Sequence, residues 1–318
     1  MGGFWRLDHS FESELQISNR LVTDSITVRP ILILDDGTSF PLPTVALEPS
    51  GTTTVNLNSA FNSLPASITA SHHPYGTVSL SYDWHWDSAI SAEVQNIDSD
   101  RSLSYVSGLR PGPDSAIADQ TIHGLWWKKT KSTTAFVRLT NVTPSAIKVQ
   151  FSVTDHNNQP IGSESVVVGP SRTVLRDATS VLNAESGADG GLDISYTGQV
   201  GGLIADGGLE DAGNGFSASL PLYRPPAANL AAKPPKPITL ASTGIMIGQP
   251  GPGQMFPPQV YFRPWLKLRN VSSSAKVVTV DTGAGSPDGA GACEHARRRS
   301  GRRTSERFMV GVLSISNQ

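Results

Sequence analysis

The chain has 318 residues, of which 16% are charged and 7% aromatic, and it contains 30 glycines and 23 prolines. This composition favours strands joined by many turns over long helices. The net charge of −2 at pH 7 provides no electrostatic attraction towards nucleic acid or an anionic membrane, so a nucleic-acid partner is not expected.

The N-terminal segment Met1–Arg6 lacks the basic region and apolar run of a signal peptide. Phe4 and Trp5 lead directly into the first strand pattern, which favours a fragment of a longer protein. No run of about 18 apolar residues occurs, so no transmembrane segment is expected. The single cysteine, Cys293, lies near the C-terminus, so no disulfide or thiolate metal site is expected in residues 1–280.

Three short segments resemble one another along the chain: Glu14–Asn19, Val137–Asn141 and Leu266–Asn270. In each segment apolar and polar residues alternate and an Asn follows. Alternation is typical of a half-buried strand, and Asn suits the turn after it. The segments therefore indicate an internal repeat.

The repeat extends to longer spacings. Ile26 precedes Pro49 by 23 residues, as Ile147 precedes Pro170, and a Ser follows each proline. Because the first copy has seven more residues around positions 58–75, this region is expected to be an insertion.

A second pair of spacings agrees with the first. Tyr82 precedes Ile90 by 8 residues, and Tyr196 precedes Ile204 by 8. This match makes Ile204 the expected equivalent of Ile90, and the duplication is predicted to cover most of both copies.

The strand signals within one copy are clear. Ile147, Val149, Phe151 and Val153 alternate with polar residues, which predicts one buried face. The segment 35–38, Asp-Asp-Gly-Thr, is expected to be a hairpin turn in which Gly supplies a positive φ. Short strands and turns in a unit of about 100 residues predict an antiparallel β-sandwich, with a closed barrel as the alternative.

These patterns predict an all-β chain of tandem antiparallel β-sandwich modules with a truncated third module. Residues 225–258 contain nine prolines and are expected to be an extended linker. The predicted divisions are module one at 1–110, a linker at 111–125, module two at 126–224, a Pro-rich linker at 225–258, the start of module three at 259–280, and a tail at 281–318.

The tail is rich in Gly and Arg and lacks the apolar alternation of the other modules. We expect it to be disordered, and a shift of reading frame after Asp281 would explain its departure from the repeat. The alternative is a nucleic-acid-binding arm, because it contains six arginines.

The most conspicuous run for chemistry is Asp83-Trp84-His85-Trp86-Asp87. In an extended chain, Trp84 and Trp86 share one face and are a possible glycan contact, while Asp83, His85 and Asp87 share the other and could bind a metal. The alternative is the tip of a hairpin that exposes an aromatic pair. No metal or cofactor site is assigned.

Three further features could carry chemistry or packing. His72 and His73 lie in the insertion and are expected in a loop, because adjacent side chains on an extended chain point to opposite sides. Trp126–Trp127 occupies the place that Phe4–Trp5 has in the first copy, which predicts packing between modules or at a sandwich end. The acidic, Gly-rich run 206–215 could hold calcium, although a hairpin connection is the preferred interpretation.

No phosphate-binding loop, nucleophile elbow or zinc-protease helix occurs, so no catalytic residue is assigned. The chain resembles multi-module bacterial exported or surface proteins with immunoglobulin-like or fibronectin type III-like repeats. The residues that carry this resemblance are Phe4–Leu7, Asn19, Asn141, Asn270, Pro49–Ser50, Pro170–Ser171 and Phe216–Ser219. The resemblance implies an extracellular, cell-surface or periplasmic location.

The leading functional hypothesis is a non-enzymatic structural or adhesive module array whose partner is a glycan or another surface protein. One alternative is a carbohydrate-binding accessory region that uses Trp84 and Trp86. Another is a fragment of an extracellular enzyme whose site lies between modules.

Overall fold

A computed structural model describes residues 1–101, 103–127, 133–177, 189–211, 213, 216–220, 222–224, 268–270 and 308–310. The described chain is all-β with antiparallel sheets and two short α-helices, so the predicted fold class is confirmed. No helix among these residues is long and apolar enough to cross a membrane.

The first half contains nine strands, two helices and one 3₁₀ turn. The strands are β1 (Gly3–Arg6), β2 (Phe11–Asn19), β3 (Ile26–Leu34), β4 (Ser39–Pro41), β5 (Val45–Leu47), β6 (Thr52–Asn56), β7 (Tyr75–Tyr82), β8 (Ile90–Asp98) and β9 (Leu103–Gly108). The helices are α1 (Leu57–Asn62) and α2 (Ala66–Thr69), and the 3₁₀ turn spans Asp87–Ala89.

The described residues of the second half form nine further strands. They are β10 (Ile117–Trp127), β11 (Thr134–Asn141), β12 (Ile147–Asp155), β13 (Pro160–Val168), β14 (Thr173–Asp177), β15 (Asp189–Gln199), β16 (Leu203–Asp211), β17 (Phe216–Leu220) and β18 (Leu222–Tyr223).

Each half forms two antiparallel sheets. In the first half the orders are β1-β7-β3-β4, with β5 also paired to β3, and β6-β2-β8-β9. In the second half they are β13-β12-β15-β10-β18 and β14-β11-β16-β17. These orders differ from the ABED and CFG sheets of a constant-type immunoglobulin domain. We refer to β1–β9 as the first sandwich and to β10–β18 as the second sandwich.

Each sandwich has its own apolar core, with one fully buried tryptophan in each. Trp5 lies in the first core and Trp126 in the second, both 0% exposed. The four residues predicted to share a face of β12 are all buried: Ile147, Val149, Phe151 and Val153. That prediction is confirmed.

The predicted hairpin turn at 35–38 joins β3 to β4. Gly37 has a φ of 95°, in the left-handed region that favours glycine. Asp36 accepts a hydrogen bond from the Thr38 backbone N–H at 2.8 Å, which closes the turn. The matching hairpin between β12 and β13 uses Asn158, with a φ of 63°.

The Asn that ends β2 and β11 performs the same structural task in both sandwiches. Asn19 and Asn141 are 3% and 0% exposed. The Asn19 amide nitrogen lies 2.7–3.3 Å from three backbone carbonyl oxygens, and the Asn141 amide nitrogen lies 2.7–3.0 Å from three others. Each side chain thus fastens the following loop to a neighbouring strand end.

Residues 117–125, predicted as part of a linker, instead belong to β10, which pairs with β15 over eleven residues. The inward-facing positions of β10 include Ile122, Gly124 and Trp126. Because the middle one is glycine, the sequence does not show the apolar alternation of a strand. A Cβ on Gly124 would lie 2.5 Å from the Leu222 side chain, so tight packing accounts for this glycine. The linker prediction is wrong for these residues.

The expected equivalence of Ile90 and Ile204 is also corrected by the strand register. Asn19 pairs with Ile90, whereas Asn141 pairs with Leu203. A shift of one residue moves a side chain to the other face of the sheet. Leu203 therefore takes the inward position, and Ile204 points outward, where its side chain reaches Gly2 of the first sandwich.

The insertion at 58–75 contains α1 and α2, which composition alone did not predict. Asn56 caps α1, because its side chain accepts a hydrogen bond from the Ser59 N–H at 2.8 Å. Leu57 and Phe61 bury one face of α1 against the first core. The helices therefore cover one end of the first sandwich.

Towards the C-terminus, the described residues form two short strands, β19 (Leu268–Asn270) and β20 (Phe308–Val310), which pair antiparallel. The predicted Pro-rich linker at 225–258 lies outside the described residues. So do most of the predicted start of module three at 259–280 and of the tail at 281–318. The predicted disorder of the tail is wrong for Phe308–Val310, which form β20, and stays a prediction for the rest.

Candidate functional site

The predicted aromatic pair lies in the loop after β7, where the chain leaves the extended conformation and enters the 3₁₀ turn at Asp87. The ring centroids of Trp84 and Trp86 are 6.3 Å apart at 77°, so the rings meet edge to face. Trp84 packs against the first core, whereas Trp86 is 55% exposed. The expected common face is therefore not observed, and Trp86 alone presents an aromatic surface.

The acidic side of this run does not converge on a metal. Asp83 accepts two hydrogen bonds from Arg29, at 2.7 and 2.8 Å, and these bonds lower the pKa of the Asp83 carboxyl. His85 stacks on Trp84 with centroids 5.5 Å apart. Among the described residues, no cluster of three or more His, Cys, Asp or Glu could hold a metal ion.

His72 lies in the loop after α2, as predicted, but it is not free. Its Nε2 lies 2.9 Å from Asp36 Oδ2 and its Nδ1 lies 2.8 Å from the Ile68 carbonyl oxygen. The hydrogen bond to the Ile68 carbonyl, followed by that to Asp36, raises the pKa of His72. His73 stacks on Tyr75 at 5.5 Å, so the two histidines have separate contacts.

The acidic, Gly-rich run is not a loop over residues 206–211, which lie in β16. Asp206 accepts hydrogen bonds from Ser107 at 3.0 Å and from Arg110 at 3.1 Å. A Cβ on Gly208 would lie 2.4 Å from the Phe136 ring, so this glycine makes room for an aromatic side chain. β16 pairs antiparallel with β17, with Asp211 opposite Phe216, so the run does belong to a hairpin, but residues 206–211 form its strand rather than its connection. Asp206 and Glu210 serve the contact between the sandwiches, and no group that could hold a metal ion occurs among the described residues.

That contact is centred on a buried cation. Arg138 on β11 is 3% exposed, and its guanidinium carbon lies 4.2 Å from the Phe4 ring centroid and 5.1 Å from that of Tyr105, both in the first sandwich. The Phe136 ring lies 5.7 Å away on the second. Desolvation by burial lowers the pKa of Arg138 and raises that of Tyr105. The charge of Asp206 opposes the lowering of the Arg138 pKa, and the ring faces add cation–π attraction.

A second arginine crosses the contact in the opposite direction. Arg6 donates to Glu210 Oε1 at 2.7 Å and is ion-paired with Asp8. Burial lowers the pKa of Arg6, but the hydrogen bond to Asp8 and the charge of Glu210 outweigh it and raise the pKa overall. Burial raises the pKa of Glu210, and the charge of Arg6 opposes that rise only in part.

Hydrogen bonds at the edges complete the contact. The Ser104 N–H donates to Ser217 Oγ at 2.8 Å, and Ser217 Oγ donates to the Ser104 carbonyl oxygen at 2.9 Å. The Thr173 N–H donates to the Asp35 carbonyl oxygen at 3.1 Å. Phe4 lies in this contact, in agreement with the predicted packing between modules. Trp126 instead lies in the second core.

A shallow groove of about 300 Å³ lies on the outer face of the second sandwich, across β13, β12, β15 and β10. Its lining residues are mostly polar or charged and include Asp119, Lys148, Gln150, Ser195 and Thr197, although apolar carbon makes up most of the surface that they present. This groove was not predicted from the sequence, although Lys148 and Gln150 alternate with the buried residues of β12 and thus mark an outward face.

No known protein family, no curated protein and no solved structure matches this chain.

Proposed function

We propose that the two sandwiches are copies of one module. Their strand orders correspond once β5 is left out of the count: β1-β7-β3-β4 then matches β10-β15-β12-β13, and β6-β2-β8-β9 matches β14-β11-β16-β17. The buried Asn19 and Asn141 make matching contacts. Ser50 and Ser171, the residues after the repeated prolines, have φ values of 56° and 55°. A left-handed serine at both places is uncommon, which supports a common origin.

On this basis the chain is a non-enzymatic structural or adhesive array in which the two modules act as one rigid body. The observation that carries the proposal is the closed contact between the sandwiches, where Arg138 is enclosed by rings from both. A hinge would leave such a surface wet, and an active site would leave an open cleft. Its carboxylates, Asp206 and Glu210, are engaged by Ser107, Arg110 and Arg6.

An extracellular, cell-surface or periplasmic location and a bacterial origin belong to the same proposal. They rest on the resemblance to exported multi-module proteins. A surface array needs stiffness more than catalytic groups, and the absence of catalytic motifs from the sequence agrees with this role.

Backbone ¹⁵N relaxation of the full chain tests the proposal. Both sandwiches should report one rotational correlation time, because a rigid pair tumbles as a unit. Phe136→Asp at the contact should give two shorter times, whereas Val167→Asp on the exposed outer face should change nothing. Independent tumbling in the unaltered protein, or turnover of a substrate that survives Phe136→Asp, would reject the proposal.

A second candidate function is carbohydrate binding through Trp86, favoured by its 55% exposure at a loop tip. Affinity electrophoresis in gels containing soluble polysaccharide tests it, with Trp86→Ala as the variant and Val22→Ala, at another exposed position, as the control. Retardation that is equal in all three proteins would remove this candidate.

A further inference from the structure

The groove on the second sandwich has a direct counterpart on the first sandwich, and the strand register identifies it. Val28 pairs with Tyr82 in the first sandwich, and Val149 pairs with Tyr196 in the second. The residues that follow these four therefore occupy matching outward positions on the two sheets.

Those matching positions carry different chemistry. In the first sandwich they are Arg29 and Asp83, whose side chains form a two-bond ion pair at 2.7 and 2.8 Å across the face. In the second sandwich they are Gln150 and Thr197, which are shorter and carry no charge. The groove lies where the ion pair would otherwise lie, so these two differences account for the opening.

The groove lining offers donors and acceptors in balance. Lys148 is its one cation and Asp119 its one carboxylate among the described lining residues. Thr197 Oγ1 donates to Asp119 at 2.6 Å, and the hydroxyls of Thr121 and Ser195 lie 3.4 Å apart in the next row. Such a surface has no net charge and suits a ligand that is itself rich in hydroxyl groups.

We propose that this groove binds a neutral, hydroxyl-rich chain, namely the sugar units of an oligosaccharide or polysaccharide. Small-molecule sites are usually enclosed, whereas this groove is open, as a surface for a chain requires. Its lining residues are mostly polar side chains that also present apolar carbon, a combination that matches the hydroxyl groups and C–H faces of sugar rings. Tyr196 lines it but is only 4% exposed, so hydrogen bonds rather than ring stacking supply the affinity. The inference deepens the adhesive part of the proposed function by naming a ligand class.

The test is an NMR titration of the ¹⁵N-labelled full chain with neutral hexasaccharides: β-1,4-linked glucose, α-1,4-linked glucose and α-1,6-linked mannose. At least one should shift the amide signals of Gln150, Ser195 and Thr197. The double variant Gln150→Arg/Thr197→Asp recreates the ion pair of the first sandwich and should weaken binding at least tenfold. The reverse variant, Arg29→Gln/Asp83→Thr, alters only the first sandwich and should leave the affinity measured at the Gln150, Ser195 and Thr197 amides unchanged.

Should the double variant fail to fold, as judged by its amide spectrum, Lys148→Ala replaces it, with an expected loss of three- to tenfold. The proposal is overturned if no hexasaccharide shifts these amides, if the variant with the ion pair binds as well as the unaltered protein, or if the shifts centre on Trp86. Stronger binding of an acidic hexauronate would overturn the choice of a neutral ligand. A single correlation time from the same samples would show that the rigid array persists even if sugar binding fails.

Discussion

The ion pair between Arg6 and Glu210 should couple the stabilities of the two sandwiches. The Arg6 side chain is 8% exposed and that of Glu210 is 14%, so both charges are largely removed from water. Arg6→Met leaves Glu210 buried without its partner, which costs about 3–5 kcal/mol for pairs of this kind. Glu210→Gln leaves Arg6 with Asp8 and should cost about 1.5–3 kcal/mol, the range for a hydrogen bond to a charged group.

The double variant should lose less than the sum of the two single losses, with a coupling energy of about 1–3 kcal/mol. Urea unfolding of the full chain, followed by far-ultraviolet circular dichroism, measures each free energy. As a matched control, Arg29→Met breaks an ion pair whose side chains are 49% and 58% exposed, and it should cause no measurable change.

The pH dependence of the free energy of unfolding gives a second test of the Arg6–Glu210 ion pair. Burial raises the pKa of Glu210, and Arg6→Met removes the charge that opposes this rise. A native carboxyl with a raised pKa binds its proton more tightly than the unfolded chain does. The stability of the variant should therefore be higher below the ordinary Glu pKa and fall as pH rises through the raised value. Additive losses, or a variant that gains stability with rising pH, would refute the reasoning.

Three further predictions concern single positions. Asn141→Ala should lower the free energy of unfolding by about 2–4 kcal/mol in urea titrations, because buried carbonyls lose their donor. The hydrogen-bond partners of His72 raise its pKa. Its bond to Asp36 should therefore stabilise the protein below the ordinary His pKa, and this stabilisation should disappear as pH rises through the raised pKa. In thermal melts, His72→Gln should abolish this pH dependence. Trp86→Ala should change the melting temperature little, whereas Trp84→Ala should lower it clearly, and equal effects would contradict their different burial.

The sequence predicted those parts of the fold in which local pattern and final position agree. Alternation along β12 identified a buried face, and the glycine at position 37 identified a hairpin turn. Prediction failed where tertiary packing sets the residue type. Gly124 interrupts the apolar alternation of β10 because the Leu222 side chain packs against it. Gly208 has no side chain because the Phe136 ring occupies that space.

The candidate sites were harder to foresee for a related reason. Trp84 and Trp86 are two residues apart, and only an extended chain would place them on one face. The groove depends on what Gln150 and Thr197 lack relative to Arg29 and Asp83. The repeat spacings already align these residues, since Ile26 matches Ile147 and Tyr82 matches Tyr196, but only the structure shows that Arg29 and Asp83 meet across the sheet face.

The most direct test of the rigid pair is a distance distribution between spin labels on the two sandwiches. Val22 and Val167 are 79% and 66% exposed, so labels attached to cysteines at these positions should not disturb either core. With Cys293 replaced by Ser, pulsed electron–electron double resonance should show one narrow distance distribution. Phe136→Asp should broaden this distribution. A broad or multiple distribution in the protein with an intact contact would contradict the account.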